Sequence, residues 1–416
     1  MVKKGLNGDI MNYTDAKNLL EKYGQTQLLD YYDELTPSEQ RMLLDDISRT
    51  DFGVLENLNK HVSSELGKLS PADALSVEDI QKRRHEYEEE GLAAIRSGKG
   101  AAVLLAGGQG TRLGSSLPKG MFNIGVTRTL TIFEQQMNNI KEVTERAGCM
   151  FHIFIMTSDL NDEATRQYFA DSGYFGYDSN KIHFYKQKLA PACSEQGKVY
   201  LELKYKVALS PNGNGGWYSS LVDAGYRQLL ESEGIEWLNI YAVDNVLQRI
   251  CDPVFVGATI KSGCACSGKV VKKVSPEERV GVLCKEDGHP TIVEYYEMPA
   301  SLASLRDPDG QLTYRYGVIL NYLFSVAVLD KIYRDKLPCH LAHKAIPHIE
   351  DGVCVTPSSP CGYKFETLAV DIVRLMGSCL AFEVVREKEF APVKNRTGVD
   401  SVESARELLQ LNGVKL

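Results

Sequence analysis

Residues 103–120 read VLLAGGQGTRLGSSLPKG. Ala101 to Leu105 form a short apolar run that gives way at once to glycine, the pattern of a buried strand. Gly107, Gly108 and Gly110 then fall within four residues. A loop so free of side chains can bring backbone N–H groups against a ligand, and glycine permits the dihedrals it needs. Phosphate is the usual ligand of such a loop. Arg112 and Lys119 supply cations to meet it, and Pro118 and Gly120 fix Lys119 just beyond the loop.

Two familiar phosphate motifs do not fit. A Walker A loop needs G-x-x-x-x-G-K-[ST], which is absent. A dinucleotide fingerprint starting at Gly108 would need glycine where Leu113 stands. It would also need an acidic residue at the end of a second strand about 20 residues on, and none is there. The next good strand, Phe151 to Thr157, comes too late.

The formal net charge of −8 over 416 residues argues against a nucleic-acid partner, which needs a basic surface. An anionic substrate therefore requires a locally basic pocket. The ten cysteines are scattered without C-x-x-C spacing, which reads as reduced thiols in a cytoplasmic protein rather than a zinc site. The opening MVKKGLNGDIMNYTD has no apolar core of a signal peptide. No apolar run is long enough to span a bilayer, so no membrane partner is expected.

Residues 1–95 read as a polar, helical region. Thr36-Pro37-Ser38-Glu39 is a capping box with proline at the first helical position, and Ser76 opens a further helix through the charged run Lys82 to Glu90. From 96 to 385 strands alternate with amphipathic helices. Strands are expected at 100–105, 151–156, 182–185 and 237–243, and helices at 131–147 and 161–171. This predicts an α/β fold with a mostly parallel, Rossmann-like sheet and helices on both faces. Ligands of such sheets bind beyond the carboxyl ends of the strands, which puts the glycine loop, Ser158, Gln187 and Asp244 on one rim. Segments 269–273, 281–284 and 291–295 read as antiparallel strands inserted over that rim. Helices return near 368–376 and in a short C-terminal segment, 386–416, where Ser401 or Asp400 caps a helix that ends at Gly413.

Several groups could carry chemistry. Gly213-Asn214-Gly215-Gly216 forms a loop able to lie flat against a ring. Asp244 ends an apolar strand and suits a Mg2+ ligand shared with substrate phosphates, although a turn is the commoner role of a lone aspartate. Lys364 and Lys394 read on spacing alone as surface lysines. His152 reads as a core histidine. His340 and His343 form a pair at helical spacing with no third ligand.

The segment 105–114 with Pro118-Lys119-Gly120 resembles the signature of the UDP-sugar pyrophosphorylases, most of all their N-acetylglucosamine branch. The resemblance continues in order through 213–216, 243–245, 269–271, 293–295, 364–366 and 389–395. It implies a nucleotidyltransferase α/β core and a UTP:sugar-1-phosphate uridylyltransferase using Mg2+, with N-acetylglucosamine-1-phosphate as the sugar. Leu105, Ala106, Gly107 and Gly108 would line the nucleotide, with Lys119 on the UTP phosphates. Gln187 and Gly213 would read the uracil. Asn214, Gly281, Glu294, Tyr295 and Lys394 would hold the sugar. Asp244 would sit by the phosphates and metal, Lys364 and Lys394 by the reaction centre, and Arg112 by the pyrophosphate portion.

Two departures stand out. Gly317-Val318-Ile319 has valine where that branch carries a sugar-contacting asparagine, which leaves glucose-1-phosphate or galactose-1-phosphate as the alternative sugar. Lys186 replaces the first glutamine of a Gln-Gln pair. The family's C-terminal extension, which bears on assembly, is absent after Lys394-Asn395, and a monomer is expected. Alternatives from other classes are an NADP-dependent oxidoreductase, suggested by Gly108-Gln109-Gly110 alone, and a non-catalytic nucleotide-sugar sensor. Lys119, Asp244 and Lys394 together argue against the sensor.

Overall fold

A computed structural model describes residues 11–58, 66–334 and 337–416. Most of the stretch bearing on a signal peptide lies outside them. The chain packs as two compact units, each built from separated pieces: 1–63, 188–216 and 337–368, and 64–187, 217–336 and 369–416. The three successive segments expected from the sequence are therefore not the packing units. The 1–95 region divides between both, and the C-terminal segment belongs to the second.

In the first unit, helices Tyr13–Tyr23 and Pro37–Arg49 pack through Leu20, Leu43 and Ile47 onto Val199, Val207 and Phe365. The Thr36–Glu39 capping box forms as read. His340 and His343 lie on a strand, His340–Lys344, paired with Gly362–Glu366. Residues three apart on a strand face opposite sides, so the expected helical pair does not exist. His343 Nε2 instead meets Glu195 Oε1 at 2.8 Å.

The second unit holds the large sheet. Its strands are β1 Leu69–Pro71, β2 Ala74–Leu75, β3 Gly100–Leu105, β4 Ile153–Thr157, β5 Ile182–Lys186 and β6 Trp237–Ala242. They continue as β7 Cys266–Lys272, β8 Val282–Glu286, β9 His289–Val293, β10 Tyr316–Ser325 and β11 Cys379–Glu383. Eight of them run in the order β2-β11-β7-β10-β6-β3-β4-β5, and off this path β8 pairs antiparallel with β1, β9 and β10. Neighbours on the path are parallel except at β10, which runs against both β7 and β6. The mostly parallel α/β expectation holds.

One strand was misplaced by its pattern. Segment 269–273 does not belong to an insertion, because β7 lies inside the main sheet and is buried along nearly its whole length. Its lysine at 269 is fully buried in ion pairs. The inserted element is the hairpin β8–β9, turned by Asp287-Gly288 with φ of 50° and 84°. Positive φ at both central residues is the geometry an Asp-Gly hairpin turn favours. Among the described residues no helix is long and apolar enough to cross a membrane.

Helix Ile132–Ala147, capped by Thr131, covers one face with Phe133, Met137 and Ile140. Helices Arg84–Arg96 and Pro253–Ser262 lie so close that a Cβ on Gly91 or Gly257 would fall 1.8 Å from a carbonyl oxygen of the other. Only glycine allows that approach.

Candidate active site

The first wall of the site grows out of β3. After Leu105 and Ala106 the chain enters the loop, which is closed by a bridge between Gln109 and Pro118. The N–H of Gly110 donates to Leu117 O at 3.0 Å, and that of Lys119 to Gly108 O at 3.2 Å. Leu113 is buried and pins the tip. A Cβ on Gly120 would lie 2.2 Å from the Phe133 ring. The Pro118-Lys119-Gly120 turn is thus wedged against a core helix, which fixes the backbone of Lys119.

A second element shapes the loop from beneath. Asn161, fully buried after β4, donates from Nδ2 to Ala106 O at 2.9 Å and to Gly108 O at 3.3 Å. Its Oδ1 accepts from the Ser158 N–H at 2.8 Å. The sequence reading passed over this side chain. Its signal was an asparagine at a helix start, ordinarily a cap. Gln187 follows β5, and its N–H donates to Thr157 O at 2.8 Å. A Cβ on Gly107 would fall 2.8 Å from the Gln187 amide nitrogen, so the first loop glycine makes room for that side chain.

The opposite wall is built where the end of β6 meets the C-terminal segment. Asp244 O accepts from the Val393 N–H at 2.8 Å, and Asn245 bridges to Pro392. Buried Asn245 donates to Glu389 O at 2.7 Å and accepts from the Ala391 N–H at 2.9 Å. Gln136, on the helix below, donates to Ala242 O at 3.0 Å and Asn245 O at 3.2 Å. These bonds hold Lys394 to the same rim. Its ammonium donates to Asp400 Oδ2 at 3.0 Å, a partner the sequence reading missed.

Four charges meet here. Burial lowers the pKa of Lys119; Asp244 pushes it back up, while Lys394 and Arg112 lower it further. With Lys394 paired to Asp400, three cations stand against two carboxylates, which leaves a net positive site poised for an anion. Among the described residues no cluster of three or more metal-ligating side chains exists. Asp244 is a single carboxylate acting on Lys119 of the glycine-loop wall, which suits Mg2+, an ion that commonly takes one or two carboxylates and completes its shell with water and substrate phosphates.

Gly281, Glu294 and Tyr295 flank the β8–β9 hairpin. A Cβ on Gly281 would lie 3.2 Å from Glu294 Oε1 and 3.4 Å from Val318 Cγ2, so these three positions adjoin. The Val318 N–H donates to Gly281 O at 2.9 Å. Asn321 does not replace the missing amide at 318, because it is buried and bonded to Asn239 and the Arg249 carbonyl. Gly213, Asn214 and Lys364 belong to the first unit. There Gly213, at φ 81°, pairs with Thr367, three residues beyond Lys364. A Cβ on Gly213 would fall 2.2 Å from Thr367 O.

Residues 53–412 match the family model described as UTP--glucose-1-phosphate uridylyltransferase. The chain is 37% identical to the human UDP-N-acetylhexosamine pyrophosphorylase-like protein 1, over 95% of this chain and 83% of that one. It is 34% identical to the UDP-N-acetylglucosamine pyrophosphorylase of Saccharomyces cerevisiae, over 94% and 88%. Its fold is similar to the crystal structure of the uridine diphosphate N-acetylglucosamine pyrophosphorylase of Trypanosoma brucei, with a TM-score of 0.84, 26% identity and coverage of 97% and 85%.

Proposed function

The chain belongs to the UTP--glucose-1-phosphate uridylyltransferase family, and on that premise we propose that it makes UDP-N-acetylglucosamine and pyrophosphate from UTP and N-acetylglucosamine-1-phosphate. The observation that carries the reading is the charge arrangement of Asp244, Lys394 and Arg112 around Lys119, at the carboxyl ends of β3 and β6. The relatives' names favour the N-acetylated sugar.

In this reaction an oxygen of the sugar phosphate attacks the α-phosphorus of UTP. The bond to the β-bridging oxygen breaks, and pyrophosphate carries away the electron pair. The protein's task is to bring two anions together, neutralise them and align them. The glycine loop presents backbone to the nucleotide. Lys119, rigidly seated by Pro118 and Gly120, meets the UTP phosphates, and Arg112 meets the departing pyrophosphate. Lys394 balances charge on the sugar phosphate side, oriented by Asp400. Gln187 and Gly213 read the uracil, Lys364 meets phosphate, and Asn214, Gly281, Glu294 and Tyr295 hold the sugar. A bound Mg2+ held by Asp244 would add neutralising charge on the phosphates.

Glucose-1-phosphate is the second reading, favoured by Val318 beside Gly281 and Glu294. The free thiols among the described cysteines support a reducing, cytoplasmic setting. The reverse reaction tests the proposal. UDP-N-acetylglucosamine and pyrophosphate should yield UTP, and Lys119→Ala should lower that rate by about 100-fold or more. Absence of UTP with both UDP-N-acetylglucosamine and UDP-glucose would refute it.

A further inference from the structure

A cavity of about 250 Å3 opens at the end of β7, where the loop before β10 folds over it. Four cations line it, Lys272, Lys273, Arg306 and Arg315, with Gln311 and Leu312, and no lining residue carries a negative charge. Two of the cations are already matched. Lys272 Nζ lies 3.0 Å from Glu383 Oε1, and Arg315 bonds Asp307 and lies 3.7 Å from Asp309.

The other two are not. Arg306 donates to Gly310 O at 2.7 Å, and Lys273 to Pro276 O at 3.1 Å. Both partners are neutral carbonyls, and among the described residues neither cation is in an ion pair. Glu277 and Glu278 act on Lys273 from nearby, but Glu278 is engaged by Arg386 at 2.7 Å. Burial lowers the pKa of Lys273, as expected of an under-compensated cation.

We propose that this cavity is a second anion site, distinct from the glycine loop, which takes a small phosphorylated anion. Guanidinium and ammonium groups lining a concave space suit phosphate oxygens. The volume falls below the range of about 300–1,000 Å3 usual for drug-sized ligands, so the ligand is phosphate-sized or a small sugar phosphate.

The site has a direct connection to the sugar-contacting positions. The Lys273 N–H donates to Arg315 O at 2.8 Å. β10 continues from there to Gly317, where a Cβ would fall 3.5 Å from Lys273 Cγ, and to Val318, bonded to Gly281. An anion held by Lys273 and Arg306 steadies this start of β10 and lowers the KM for sugar-1-phosphate. That consequence rests on the sugar reading above; the binding itself does not.

Thermal shift of the full chain, without UTP, tests the binding, with inorganic phosphate and glucose 6-phosphate as probes. Both the parent and Lys119→Ala should be stabilised at similar concentrations. In Lys273→Met/Arg306→Gln, half-saturation should need at least about tenfold more probe, the loss of more than one charge-assisted contact. Arg306→Gln alone alters an exposed residue and should retain transferase activity while weakening the probe about threefold or more. Tighter binding by one probe identifies free phosphate or sugar phosphate as the source. An unchanged response in either Arg306 variant, or its loss in Lys119→Ala, would overturn the proposal.

Discussion

The backbone N–H of Val393 donates to the carbonyl of Asp244 at 2.8 Å, joining the end of a central strand to the C-terminal segment. The aspartate and Lys394 therefore share a rim through backbone pairing, and the Asn245 amide locks that pairing. Asn245→Ala should lower both stability and kcat, because buried Glu389 O and the Ala391 N–H lose their partner, at about 1–3 kcal/mol. Lys394→Ala should leave the melting temperature nearly unchanged and lower kcat by about 100-fold. Melting curves and steady-state kinetics on the two variants separate these effects; equal losses of stability would contradict the assignment.

Lys119 carries a pKa lowered by burial, with Asp244 opposing and Lys394 and Arg112 adding to the effect. Its charge is therefore lost, as pH rises, earlier than for an ordinary lysine. UTP affinity should weaken along that alkaline limb. Asp244→Asn removes the group that raises the pKa, so the limb should move to lower pH. Calorimetric UTP binding between about pH 7 and 10 would show it. A limb unmoved in Asp244→Asn would count against the charge arrangement.

Lys269 is fully buried, with Nζ 2.5 Å from Glu389 Oε2 and 3.7 Å from Asp252 Oδ2. Removing it leaves two buried carboxylates short of a counter-charge. Lys269→Met should destabilise the protein by about 3–5 kcal/mol, read from urea unfolding midpoints. Because Glu389 also accepts from Asn245 through its carbonyl, the site should loosen at the same time. Unchanged stability would show that the pair is dispensable.

Val318 adjoins Gly281 and Glu294. Val318→Asn should place an amide among the sugar contacts and raise the preference for N-acetylglucosamine-1-phosphate over glucose-1-phosphate by about fivefold, the worth of one added hydrogen bond. The ratio of kcat/KM for the two sugars reads this directly. An unchanged ratio would place the sugar elsewhere.

Much of this fold is legible in the sequence because strands β3, β4 and β6 are largely apolar and run out into glycine, serine or aspartate. The strand 100–105 and the helix capped by Thr131 occur as read. What failed to show was anything set by pairing at a distance. The burial of Lys269 is one case, because a sequence does not display Glu389 beside it. Asn161 reads only as the start of a helix, while its amide holds the glycine loop through Ala106 O and Gly108 O. Lys394 looked like a surface lysine until Asp400 and the Asp244 pairing gave it a place. The discontinuous first unit is hidden for the same reason, since three separated segments share one core.

Uridylyl transfer from UTP to a sugar phosphate releases one pyrophosphate per turnover, and that release can be measured. The protein is incubated with UTP, Mg2+ and, in turn, N-acetylglucosamine-1-phosphate, glucose-1-phosphate and galactose-1-phosphate. Pyrophosphate and UDP-sugar should form stoichiometrically, fastest with N-acetylglucosamine-1-phosphate, and Lys119→Ala should lower the rate by about 100-fold or more. No pyrophosphate with any of the three sugars, from folded protein, would contradict uridylyl transfer.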